Sequence, residues 1–90
     1  MRRQFGAQAI NALEVMHCES GGDPSRLNNN ASTGDYSVGL FQINLLGDLA
    51  KNRPSESWLR IPLNNIAYAA TMQKQQAWVP WSCARNNGIK

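Results

Sequence analysis

Residues 16–30 read MHCESGGDPSRLNNN, and the setting of one side chain in this run, Glu19, organises the rest of the chain. Upstream of it Phe5, Ala9, Leu13 and Met16 recur at helical spacing, with Ile10 and Ala12 alongside. This predicts an amphipathic helix with that face turned to a core. Ser20, Gly21 and Gly22 then stop it in the manner of a glycine C-cap. Glu19 therefore sits at a helix C-terminus, where the macrodipole disfavours an exposed carboxylate by roughly 0.3–1 kcal/mol and raises its pKa. Burial beside apolar groups would raise it further. A carboxylic acid still protonated near neutral pH can deliver a proton to a leaving oxygen, which makes Glu19 a candidate general acid.

Beyond the glycines, Asp23 and Pro24 open a turn, and LNNNASTGD (27–35) reads as a polar loop with a hairpin-like Gly34 and Asp35. YSVGLFQINLLGDLA (36–50) is apolar enough to be buried, and Gly47 interrupts it, so the expectation is a short helix with an irregular continuation. KNRPSESWLRIP (51–62) is a connection. The last strong helix is expected from Asn64 or Asn65 as N-cap, carrying Ile66, Ala69, Ala70 and Ala77, with Gln73, Lys74 and Gln76 outward. WVPWSCARNNGIK (78–90) reads as an aromatic, largely non-helical tail. With no internal repeat and no linker, residues 1–90 are expected to form one small, mostly helical domain.

A chain of 90 residues buries only about 60–65% of its unfolded surface, so its core is thin and a covalent staple would help. Cys18 and Cys83 are its two cysteines. Bridged, they would close most of the chain into one loop, a contribution of roughly 4 kcal/mol in the chain-entropy account; unbridged, they would be two buried thiols of a reduced protein. The net charge of +3 suits a polyanionic partner, nucleic acid or a bacterial wall. The basic residues are scattered, without the cluster or aromatic stripe of a nucleic-acid module, so no nucleic acid is expected. No segment has the length of a membrane span. The start, MRRQFGAQAINALEVM, has a signal-like positive opening but is broken by Gln4, Gln8, Asn11 and Glu14. His17, the one histidine, has no partners that would make a metal site, and neither metal nor cofactor is expected.

CESGGDP (18–24), a polar loop, and then DYSVGLFQIN (35–44) together resemble the lysozyme-like superfamily of soluble lytic transglycosylases and lysozymes. CESGG with WVPWSC (78–83) is similar to resuscitation-promoting-factor domains, in which two such cysteines pair. PLNNIAYAATM (62–72) and AWVPWS (77–82) resemble the later helix and tail of transglycosylase-like domains. The resemblance implies a mainly α (α+β) lysozyme-like fold, with a short hairpin flanking a sugar-binding cleft and a Cys18–Cys83 disulfide. It implies cleavage of peptidoglycan between N-acetylmuramic acid and N-acetylglucosamine, with Glu19 as the acid and Ser20 holding the local backbone.

The resemblance also implies roles for other residues. Gln42 would present its amide to sugar or to Glu19, with Leu40 and Phe41 mainly core, and Asn44 would meet a sugar N-acetyl group or serve as a cap. An ungapped alignment puts Ser37 where hen-type lysozymes carry their aspartate. Asp35 would be a second carboxylate only if the hairpin carries an insertion, and is otherwise a turn residue. Without it Glu19 would work alone, as in lytic transglycosylases, although their Ala-Tyr-Asn motif is missing here. Tyr68 would be packing or a hydroxyl partner for Glu19, and Trp81 would border the cleft with Trp78 in the core. The expected partner is peptidoglycan glycan strands, met by a monomer at the bacterial wall, with phage or virion delivery as the expected context. Two other readings stand beside this one: a catalytically silent binding or virion structural module of the same fold, and a small basic nucleic-acid binder.

Overall fold

A computed structural model describes residues 1–30, residue 32 and residues 34–89. Helices α1 (Arg2–Phe5), α2 (Ala9–Ser20), α3 (Glu56–Leu59), α4 (Pro62–Gln76) and α5 (Ser82–Asn86) accompany a small sheet of β1 (Leu27–Asn30), β2 (Asp35–Val38) and β3 (Ile43–Asn44). The sheet is antiparallel in the order β1-β2-β3, with Leu27 opposite Val38, Asn30 opposite Asp35, and Ser37 opposite Asn44. This is the small α+β architecture expected, with the hairpin in place and one disulfide, Cys18–Cys83, tying α2 to α5.

The N-terminal helix is not continuous. Gly6 takes a positive φ of 55°, and residues Gly6–Gln8 form a 3-10 turn between α1 and α2. The change of pitch rotates the buried face of α2, so that Ala9 and Ala12 are buried as expected and Val15 joins them, while Leu13 and Ile10, expected on the core face, stand out in solvent. Only Phe5 and Ala9 of the predicted stripe lie in the core. At its other end α2 stops as predicted: Gly21 is left-handed at φ 67° and its N–H donates to the His17 carbonyl.

Residues 36–50 differ most from expectation. They form β2, a tight turn at 39–42, β3 and a 3-10 stretch at Gly47–Asn52 in place of a helix. Gly39 at φ 77° and Gln42 at φ 48° reverse the chain where a helix would need right-handed backbone throughout. Residues 27–30, expected as loop, pair with β2 although all four are exposed.

Helix α4 begins earlier than predicted, with Pro62 in its first turn, a position where the missing N–H is not needed. Asn65 is consequently not a cap. It is fully buried inside the helix, where its Oδ1 accepts from Phe41 N at 2.8 Å and its Nδ2 donates to the Val38 and Leu59 carbonyls, each at 2.9 Å. This one side chain fastens the 38–41 turn to α3 and α4. The turn packs so closely on it that a Cβ on Gly39 would overlap the Asn65 Nδ2. The core itself is aromatic: Phe5 stacks on Trp78 and tilts against Phe41, and Trp81 packs edge-on to Phe41 and against Trp78.

Candidate active site

Glu19 lies in the last turn of α2, partly buried, directly after Cys18. Burial is the largest influence on its carboxyl group and raises the pKa above the ordinary 4.5; the charge of Asp35 raises it further, while a hydrogen bond from the Cys83 backbone N–H pulls it down. The disulfide explains that geometry. Because Cys18 and Cys83 are bonded with their Cα atoms 6.0 Å apart, the first turn of α5 is held beside the end of α2, and its amide faces the carboxylate. Ser20 steadies the same turn, its hydroxyl donating to the Met16 carbonyl at 3.2 Å and accepting from Gly22 N.

Asp35 stands at the start of β2, paired in register with Asn30 and close enough for its charge to reach Glu19. The structure thus brings these two carboxylates into one electrostatic neighbourhood. Ser37, two residues along the same strand, is buried at 5% exposure opposite Asn44.

Gln42, Asn44 and Trp81 border a pocket of about 130 Å³ with Arg53 and Pro80, but much of their hydrogen-bonding capacity holds the fold. The Gln42 amide donates to the Arg26 and Gly39 carbonyls at 3.0 and 2.8 Å, closing the turn that its own positive φ creates. Asn44 accepts from Tyr36 N and Leu46 N and donates to the Gly34 carbonyl. Trp81 is 3% exposed and spends its indole N–H on the Phe41 carbonyl at 2.9 Å, so its ring is mainly a core element with an edge on the pocket. Trp78 is in the core, its N–H bonded to Gln8. Tyr68 is on a different wall: its hydroxyl reaches towards the Asn52 carbonyl at 3.4 Å in a groove between α4 and residues 46–53.

Two features escaped sequence reading. Arg53 was an isolated cation in the sequence; here its Nη1 donates to the Asn44 carbonyl at 2.6 Å, which sets the guanidinium at the pocket edge. The other is a chain of side chains fixing the hairpin, with the Tyr36 hydroxyl donating to Glu56 at 2.5 Å and Arg60 gripping the second Glu56 oxygen. Residues 51–62 read as a connection, so the Glu56–Arg60 pair at a spacing of four along α3 was missed together with its link to Tyr36, twenty residues earlier. Among the described residues no cluster of three or more His, Cys, Asp or Glu side chains is placed to hold a metal, and no helix is long and apolar enough to cross a membrane.

No curated protein and no solved structure matches the chain. A family model described as "Lysozyme like domain" matches residues 3–83, a span that takes in α2 with Glu19, the whole sheet, α4 and the second cysteine. The chain therefore belongs to the lysozyme-like domain family, a membership that points to peptidoglycan-related activity in general.

Proposed function

We propose that the protein cleaves the β-1,4 bond between N-acetylmuramic acid and N-acetylglucosamine in bacterial peptidoglycan, with Glu19 acting first as acid and then as base. The observation that carries this reading is the setting of Glu19: a partly buried carboxyl group at a helix end, its pKa raised, facing one backbone amide and one distant carboxylate. Such a group keeps its proton at a pH where ordinary carboxylates have lost theirs.

In the proposed reaction protonated Glu19 gives its proton to the glycosidic oxygen as the bond to the muramyl C1 breaks. The Cys83 N–H stabilises the carboxylate left behind, so the same group can next take a proton from the attacking hydroxyl. Asp35 acts by its charge, keeping Glu19 protonated, and the muramyl 6-hydroxyl closes an anhydro ring. The site of action is the bacterial wall, whose anionic character complements the net charge of +3.

Mass spectrometry of muropeptides released from purified peptidoglycan tests this. Anhydro-muramyl products that vanish in Glu19→Gln and persist in Asp35→Asn are the expected result. Reducing-end products lost in both variants would instead make the site a two-carboxylate hydrolase. No release from any wall type would overturn cleavage altogether and favour a binding module of the same fold. That second reading draws on the observation that Gln42, Asn44 and Trp81 are engaged by backbone groups of the fold itself.

A further inference from the structure

Strand β2 carries Asp35 at its first position, and burial grows along it: Asp35 and Tyr36 are half-buried, Ser37 and Val38 buried. The inner end of the strand is therefore held by the core. The outer end has no such support from its neighbour, because β1 pairs with it but buries none of its own four residues. Tyr36 anchors that end. Its N–H donates to the Asn44 Oδ1 at 3.1 Å, its carbonyl accepts from Leu45 N at 2.8 Å, and its hydroxyl donates to Glu56 at 2.5 Å.

The first two bonds tie β2 to β3 and the residue after it, whereas the third leaves the sheet. Glu56 stands in the first turn of α3, and the Arg60 guanidinium grips its other oxygen through Nε and Nη2 at 2.9 and 2.6 Å. The Tyr36 hydroxyl, and then Arg60, hold the Glu56 carboxyl below its usual range, so at any pH where Glu19 titrates Glu56 is ionised and accepts strongly. Side chains alternate along a strand, so Tyr36 faces one side of β2 and Asp35 the other. Helix α3 thus grips β2 from the face opposite the carboxylate whose charge reaches Glu19.

We propose that Tyr36 and Glu56 are positioning residues: by anchoring the outer end of β2 to α3, they set how near Asp35 stands to the acid at the end of α2. The inference rests on the proposed role of Glu19 and extends it, since the proton affinity of the acid is then set by a tether on the far side of the strand. The direction of the effect follows from charge alone. Like charges repel less as they part, so a hairpin released from α3 leaves Glu19 with a weaker hold on its proton. Among the described residues Asp35 is the one charge acting on Glu19, beside burial and the Cys83 amide, so removing the Glu56 charge does not itself bear on Glu19.

The test is an NMR titration of the Glu19 side-chain carboxyl in the full-length, oxidised, 13C-labelled protein. The wild type is compared with Tyr36→Phe, Glu56→Ala, Glu56→Gln, Asp35→Asn and the double variant of Tyr36→Phe with Asp35→Asn. Tyr36→Phe and Glu56→Ala are expected to move the midpoint to lower pH, each by less than Asp35→Asn does. Glu56→Gln keeps an amide oxygen for the Tyr36 hydroxyl and is expected to stay near the wild type. In the double variant there is no charge left to position, so its midpoint is expected to coincide with that of Asp35→Asn.

A midpoint unmoved in both Tyr36→Phe and Glu56→Ala would overturn the proposal. So would a Tyr36→Phe shift that persists at full size on the Asp35→Asn background, because the hydroxyl would then act on Glu19 by a route other than Asp35. Muropeptide release measured in parallel separates the two claims. The expected titrations in a protein that releases nothing sink cleavage alone, whereas release combined with a Glu19 midpoint indifferent to Tyr36→Phe and Glu56→Ala sinks the tether alone.

Discussion

Burial and the charge of Asp35 push the Glu19 carboxyl one way and the Cys83 amide pulls it the other, and the balance lies above the ordinary value of 4.5. The sign has consequences for stability as well as for rate. A group that holds its proton more tightly folded than unfolded stabilises the native state most below the unfolded pKa, and that contribution is lost as pH rises through the folded value. Glu19→Gln should therefore melt at a higher temperature than the wild type at pH 7, with the gap closing as pH falls towards 4, while muropeptide release drops by about 10²- to 10⁴-fold. Differential scanning calorimetry across pH checks the first half; a melting temperature unchanged at pH 7 would mean that Glu19 is not held above its ordinary pKa. Asp35→Asn removes a like charge, so the pKa of Glu19 falls. The alkaline limb of the pH–rate profile then moves to lower pH, which a profile of kcat/KM in the two proteins would reveal.

At the scale of elements, the turn at 38–41 is held by Asn65 from another helix, and this contact explains both what was legible in the sequence and what was not. The end of α2 could be read because its signal is local: glycines after an apolar-periodic run, with the stop set by the left-handed Gly21. The strands at 35–38 and 43–44 could not, because Val38, Leu40, Phe41 and Ile43 are apolar at spacings that serve a buried helix or a buried strand equally. The choice is made by a side chain more than twenty residues away. The same non-local contact hid Asn65, whose residue type suggests a cap when only its neighbours are considered. The candidate site divides in the same way. The helix-end setting of Glu19 was readable from local pattern and the Cys18–Cys83 pairing from the family resemblance, whereas Gln42 and Asn44 revealed their structural duties only once the turn had closed.

Asn65→Ala would strand the Phe41 N–H and two carbonyls in the interior, at about 1–3 kcal/mol for each group left unpaired. Gly39→Ala should cost about 3 kcal/mol, since the added methyl meets Asn65 in a backbone conformation that suits glycine. Urea titration of both variants measures these losses; a change below about 1 kcal/mol in Asn65→Ala would show that the turn is held elsewhere.

For the molecule as a whole, stability and the acidity of Glu19 depend on the same covalent bond. The bridge spans a sequence separation of 65, worth roughly 4 kcal/mol in the chain-entropy account. A domain of this size holds only about 5–13 kcal/mol in all, so reduction leaves a protein with little margin. Reduction also frees α5 from α2, and the Cys83 N–H that lowers the pKa of Glu19 loses its fixed place. The reduced protein, or Cys18→Ala with Cys83→Ala, should therefore melt far lower. Assayed cold, where it is still folded, it should show its alkaline limb displaced to higher pH, opposite to the displacement in Asp35→Asn. Loss of the hydrogen bond also leaves the carboxylate less stabilised after it has given up its proton, so kcat should fall more than KM rises. A reduced protein with lower melting temperature but an unmoved pH profile would mean that the disulfide staples the fold without tuning the acid. A profile moving together with kcat would show that the bond that holds this thin core together also sets the proton affinity of the partly buried Glu19 carboxyl.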